Sequence, residues 1–158
     1  MNTKKAELLQ AHTAGQLAEN ARLQAERFQR VREAHQTELA EDYVELIADL
    51  IESLGEARVV DLATRLGVSS ATVNNAVQRL QRDGLVATKP YRAIFLTPEG
   101  QTLANAARER HSVVRAFLIS LGVNAATADS DAEGIEHHVS TETLDAFRAH
   151  LKRQKRGK

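Results

Sequence analysis

The chain has 158 residues, 42% of them hydrophobic, with 21 basic and 21 acidic side chains, no cysteine and a lone methionine. That length allows one small DNA-binding-sized unit and a second helical unit, and the missing thiols exclude disulfides, thiolate zinc sites and iron–sulfur clusters. No run approaches the ~20 apolar residues of a membrane span and no signal-peptide pattern opens the chain, so a soluble, cytoplasmic protein with no membrane partner is expected, any metal being held by oxygen and nitrogen.

Residues 1–37 form a leader rich in Ala, Gln, Glu and Arg. Roughly its first fifteen residues read as disordered, and the rest as a helix leading into the next segment. His35 reads as a surface residue, with an accessory-ligand role as the alternative. From Glu33 to Ala57 there are eight acids and no Lys or Arg. Leu39, Tyr43, Leu46, Leu50 and Leu54 are spaced as the buried side of a helix, and Asp42 and Glu45, three apart, share another face.

Residues 58–66 (RVVDLATRL) predict a short amphipathic helix, Gly67-Val68-Ser69 a tight turn, and residues 70–82 (SATVNNAVQRLQR) a second helix that Ser69 can cap. This is a helix-turn-helix pattern. Val73, Val77 and Leu80 form the inward stripe of the second helix, leaving Ser70, Thr72, Asn74, Asn75, Gln78 and Arg82 toward solvent or its flanks. Such side chains suit base-edge hydrogen bonds in a major groove; a merely solubilising surface would be the better reading without the rest of the motif. Asp83-Gly84 ends the helix, and Leu85–Thr88 and Ala93–Thr97 predict a β-hairpin around Lys89-Pro90-Tyr91-Arg92, a wing whose Lys89, Tyr91 and Arg92 are placed for DNA. Six basic residues stand against three acids between residues 56 and 98. A local excess of positive charge on an otherwise acidic protein is the footprint of phosphate contact.

Helices are predicted over 101–121 and 126–150. Their apolar residues Leu103, Val113, Val114, Phe117, Leu118, Leu121, Leu144 and Phe147 suit a homodimer interface, with burial inside one chain as the alternative for some. His111 sits in the first. In the second, Glu133, Glu136 and His137 fall within about 100° of one another on an ideal helix and can reach a common ion; His138 points away, toward the surroundings of a site or the surface. Six more acids and no Lys or Arg lie between Ala116 and Phe147. Each fragment alone is most often a solvated face or a packed histidine. Two packed acidic segments, however, repel unless protons or cations intervene. Four carboxylates and two imidazoles suit Mn²⁺ or Fe²⁺ better than soft ions. The basic tail, residues 151–158, reads as a solvated end.

A binuclear metallohydrolase needs an open coordination position, a substrate pocket and a positioned acid or base, and no such further constellation is present. A repressor sensing an organic ligand needs an aromatic-lined cavity, against which 4% aromatic content argues. Neither catalysis nor an organic substrate is therefore expected.

The run Glu41-Asp42-Tyr43-Val44-Glu45-Leu46-Ile47, the winged helix, Arg110-His111 and the block from Asp131 to His138 resemble the diphtheria-toxin-repressor family of metal-dependent repressors. The resemblance covers roughly residues 28–148. It implies a mainly α protein, with an N-terminal winged helix-turn-helix domain carrying a small β-hairpin wing (38–98) and an all-helical metal-binding and dimerisation domain (99–150). It implies that Asp42, Glu45, His111, Glu133, Glu136 and His137 are ligands of a binuclear Mn²⁺ site. Iron-sensing relatives use sulfur-bearing side chains where this chain has Asp42 and Glu133, which favours the manganese branch. The implied function is metal-dependent binding of a homodimer to double-stranded operator DNA, repressing manganese-uptake genes, with activation of efflux as a second output.

Overall fold

A computed structural model of the chain describes residues 3–89 and 93–156, except for the side chains of 3–14, Arg30, Lys155 and Arg156. Tyr91 and Arg92, two of the expected DNA-contacting residues, lie outside the described residues. Helix α1 spans Thr3–Leu54. Its contacts divide the chain between Gln36 and Thr37 into two units.

The first unit is helical from Thr3, well before the point near residue fifteen where the sequence reading begins order. Its Ala, Leu, Gln, Glu and Arg content favours helix, and no proline interrupts it. Local pairs line its surface, Arg22 reaching Glu19 at 3.2 Å and Glu26 at 3.7 Å. Leu17, Leu23, Phe28 and Val31 are exposed.

The second unit opens with the end of α1, followed by β1 (Ala57–Arg58), α2 (Val59–Leu66), α3 (Ser70–Arg82), β2 (Val86–Thr88), β3 (Ala93–Leu96), α4 (Pro98–Ser120), α5 (Ala125–Ile135), a 3₁₀ turn (Glu136–His138) and α6 (Thr141–Arg156). The sheet is antiparallel in the order β1-β3-β2, with Ala57 opposite Ile94 and Val86 opposite Leu96. Arg58 thus belongs to a strand and precedes α2, not the helix expected to begin there. Gly67 closes α2 in the left-handed region, at φ 67°, a conformation that costs glycine least. Ser69 accepts from Thr72 N–H and caps α3.

Tyr43, Ile47 and Leu50 of α1 join Leu62, Val73, Val77, Leu80, Val86 and Ile94 in one apolar core. The inward stripe of α3 is as the sequence predicts. On α1 the buried side is instead centred on Val44, Ile47 and Leu50, while Leu39 and Leu54 at the edges of the expected stripe are exposed. Gly100 lets α4 approach the backbone: a Cβ there would meet the carbonyl of Leu85. Val44 and Ala48 then pack on Ala104 of α4.

A smaller core joins α4, α5 and α6 through Val114, Ala132 and Leu144, with Val113, Leu118 and Phe147 packed against it. Phe117 and Phe147 stack at 3.8 Å. Val114 and Leu144, offered above for a dimer interface, are therefore buried within one chain, whereas Leu121 is exposed. The helix expected over 126–150 is broken. Val139 is extended (φ −79°, ψ 128°), and Ser140 accepts from Thr143 N–H to start α6, which forces α5 to end.

Candidate metal centre

Asp42 and Glu45 project from α1, His111 from α4, and Glu133 from the last turn of α5, while Glu136 and His137 lie in the 3₁₀ turn. Glu133, Glu136 and His137 therefore do not share one α-helix. The tighter turn sends the Glu136 side chain inward, 1% exposed, and leaves that of Glu133 72% exposed.

Glu136 lies between the two imidazoles. Its Oε2 is 2.6 Å from His111 Nδ1, and its Oε1 is 3.7 Å from His137 Nε2. His111 Nδ1 is also 3.7 Å from Glu133 Oε1, and His137 Nε2 is 3.2 Å from Asp42 Oδ1. Glu45 and Glu133 line two open cavities of about 200 and 440 Å³; His111 lines the first, Asp42 and His137 the second. The structure thus gathers the six expected donors at one joint. Among the described residues no three of them form a closed cage, because imidazoles and carboxylates pair with each other.

The electrostatics describe a joint short of positive charge. Burial, reinforced by Glu136 and Glu133, pushes the Glu45 carboxyl up to about 7. Burial also raises Asp42 and Glu136, outweighing the histidines that pull them down. Burial opposes the charged form of His137, yet the hydrogen bond to Glu41 and the nearby carboxylates raise its pKa. A divalent cation would remove the desolvated protons and the repulsion together. An oxygen and nitrogen donor set of this kind fits Mn²⁺.

Two residues here escaped the sequence reading. Glu41, 5% exposed, accepts from His137 Nδ1 at 2.8 Å, and its Oε2 lies 2.6 Å from Arg110 Nη2. A signal was available: on a helix Glu41 stands on the stripe of Val44 and Ala48, an unusual place for an acid. His138 is largely exposed and 3.8 Å from Glu38. Asp49 and Arg65 also line the larger cavity.

The winged half presents a different surface. Ser70, Thr72, Asn74, Asn75, Gln78, Arg82 and Lys89 are all exposed. The Thr72 hydroxyl is partly engaged, 2.9 Å from that of Ser69. Gln81 donates to Thr88 at 3.0 Å and ties α3 to the wing, where Lys89 lies over the Phe95 ring.

Residues 35–94 match the family described as iron dependent repressor, N-terminal DNA binding domain, and residues 97–157 its metal binding and dimerisation domain. The transcriptional regulator MntR of Escherichia coli O6:H1 is 57% identical over 129 residues, covering 82% of this chain and 83% of its own length. The chain belongs to the iron-dependent repressor family, also called the diphtheria-toxin-repressor family. It is thus a transcriptional regulator and not an enzyme, and the metallohydrolase alternative falls. The HTH-type regulator MntR of Listeria welshimeri is 41% identical over 105 residues, 66% of this chain and 74% of that one. Among solved structures, a manganese-dependent transcriptional repressor in complex with manganese superposes with a TM-score of 0.65 at 32% identity, over 72% of this chain and 52% of that chain. The manganese regulator SloR does so at 0.63 and 28%, over 72% and 53%. This chain spans about half the length of those two solved chains. No described helix is long and apolar enough to cross a membrane.

Proposed function

We propose that this protein is a manganese-responsive repressor in which Mn²⁺, held by Asp42, Glu45, His111, Glu133, Glu136 and His137, joins α1 to the C-terminal helices and thereby fixes the DNA-binding form of a homodimer. The observation that carries this reading is the convergence of six oxygen and nitrogen donors from four elements on a joint where burial and neighbouring carboxylates push Glu45 up to about 7. The names of the E. coli and Listeria relatives support it. So acidic a cluster would accommodate two ions.

The protein's own residues do the rest. Without a cation, repulsion among Asp42, Glu45, Glu133 and Glu136 leaves the α1 side of the joint loosely tied to the C-terminal side. With it, one geometry prevails, and the paired α3 helices meet operator half-sites about 34–36 Å apart, or a multiple of that. Ser70, Thr72, Asn74, Asn75, Gln78 and Arg82 face the bases, while Lys89, Tyr91 and Arg92 hold the backbone. The work is done in the cytoplasm on manganese-uptake genes, with efflux genes as activated targets. Moving the population from 1:99 to 99:1 takes about 5.5 kcal/mol of differential metal affinity.

The test is a fluorescence-anisotropy titration of the promoter of a manganese-uptake gene from the source genome, at fixed salt, with Mn²⁺, Fe²⁺, Zn²⁺ or chelator. Tight binding is expected with Mn²⁺ and weaker activation with Zn²⁺ at equal occupancy, since Mn²⁺ must be selected by geometry against the order of intrinsic affinities. Asp42→Ala or Glu133→Ala should abolish the Mn²⁺ response without unfolding the chain. Equally tight binding after exhaustive chelation would refute the reading.

A further inference from the structure

We propose that Glu41 and Arg110 form a positioning clamp that orients His137 and ties α1 to α4, so that the affinity of the metal centre depends on two residues that do not touch the ion. The inference rests on the metal site proposed above. Glu41 and Glu136 are the two buried acids among the described residues, and Glu136 is assigned as a ligand. Glu41 has another task. Its Oε2 accepts from His137 Nδ1 at 2.8 Å and meets Arg110 Nη2 at 2.6 Å, close enough for an ion pair though not aligned as a hydrogen bond.

The consequence for His137 follows from imidazole chemistry. A neutral ring that donates from Nδ1 keeps its lone pair on Nε2, the nitrogen that faces Asp42 Oδ1 at 3.2 Å and Glu136 Oε1 at 3.7 Å. A carboxylate behind a metal-binding imidazole fixes both tautomer and ring orientation. With the His137 side chain 3% exposed, little room is left for the ring to turn. Arg110 completes the arrangement by countering a buried carboxylate that would otherwise be uncompensated. Chain order makes the clamp a template: Glu41 immediately precedes Asp42, Arg110 immediately precedes His111, and Glu41 contacts His137 itself. The ion pair and the hydrogen bond to His137 together tie the three elements from which these ligands project.

The experiment uses the full-length protein as wild type, Glu41→Gln, Glu41→Ala and Arg110→Gln. In the metal-free state, long-range ¹⁵N–¹H NMR reads the His137 tautomer; Mn²⁺ affinity is read from the loss of the free-ion EPR signal, and folding from a thermal melt. At a pH where His137 is neutral, wild type should show the Nδ1–H tautomer. Glu41→Ala should mix tautomers and weaken Mn²⁺ binding roughly 10- to 100-fold, the usual effect of losing such a partner. Glu41→Gln, whose amide oxygen still accepts from Nδ1 but no longer pairs its charge with Arg110, should keep the tautomer and weaken Mn²⁺ binding less than Glu41→Ala. Arg110→Gln should keep the tautomer and lose affinity. Should Glu41→Ala fail to fold, Glu41→Gln and Arg110→Gln carry the comparison, since a liganding Glu41 would make Glu41→Gln the weaker binder of the two. Wild-type affinity in Glu41→Ala, an unchanged tautomer there, or a Glu41→Gln as weak as Glu41→Ala overturns the clamp. If wild type binds no Mn²⁺, the metal reading fails first, and the tautomer in the metal-free variants still decides whether Glu41 orients the ring.

Discussion

Around Leu62 and Ile94 the winged half is closed by apolar contact, ten buried side chains meeting in one cluster. At the joint between α1 and the 3₁₀ turn, by contrast, the buried side chains are Glu41, Glu136 and His137, flanked by His111. Apolar burial stabilises whatever the metal supply, because it depends only on area removed from water. A cluster of desolvated carboxylates is stable only with protons or cations present. The difference teaches where regulation can reside: the reading surface is built unconditionally, and its placement is left to a joint whose stability is conditional.

Truncating the core should have the largest effect on stability. Leu62 is fully buried between α2 and the sheet, so Leu62→Ala should cost about 2–5 kcal/mol, through lost transfer free energy and the cavity left behind. Urea denaturation of the metal-free protein measures it. The same loss should appear with Mn²⁺ bound, because the cavity lies in the unconditional half. A loss that vanished on adding Mn²⁺ would mean that the two halves do not divide the work as described.

Protons should act on the joint with a smaller effect and a definite sign. Glu45 is pushed up to about 7 from an ordinary 4.5, and Asp42 and Glu136 are raised as well. An acid whose pKa is higher in the folded state holds its proton more tightly when folded, so its contribution favours folding at low pH and is lost as pH rises from 4.5 toward 7. His137, raised above 6.5, acts in the same direction: its contribution is full below 6.5 and fades as pH climbs through the folded value. The metal-free protein should therefore lose stability as the pH is raised from about 5 to about 8. Mn²⁺ affinity should rise over the same window, because the ligands must shed protons to bind. Glu45→Gln should flatten the stability profile, and a profile equally steep in that variant would remove Glu45 as a source. Chemical denaturation at several pH values checks it.

The unconditional half was more legible in the chain than the conditional one. Gly67 and Ser69 mark the turn and cap of the helix-turn-helix through local chemistry alone, and Val73, Val77 and Leu80 give the inward stripe by spacing. β1 was not legible, since two residues become a strand only by pairing with β3, which lies some thirty-five residues on in the register of Ala57 with Ile94. The six side chains proposed above as metal donors could be picked out by residue type and the family resemblance. Their geometry could not, because the change from α5 to a 3₁₀ turn is decided by Val139 and Ser140 starting α6. Leu39 and Leu54 misled for a related reason: spacing marks a face, but the neighbours that cover it end sooner. Glu41 looked like one acid among eight, and only its place on the Val44–Ala48 stripe set it apart.

The smallest effect separates placement of α3 from its formation. Ser69 Oγ accepts from the Thr72 N–H at 3.1 Å and so satisfies one of the donors left unpaired at the helix start. Ser69→Ala removes that acceptor and frees the Thr72 hydroxyl from its 2.9 Å contact with Ser69. A capping serine contributes about 1 kcal/mol, so the melting temperature should fall slightly with and without Mn²⁺. Because Ser69 lies outside the joint, the Mn²⁺ concentration that half-activates DNA binding should match wild type even as DNA affinity itself declines a little. A shifted Mn²⁺ midpoint in Ser69→Ala would mean that forming the reading helix and setting the joint are one process, and that the division between the two halves is weaker than their chemistry suggests.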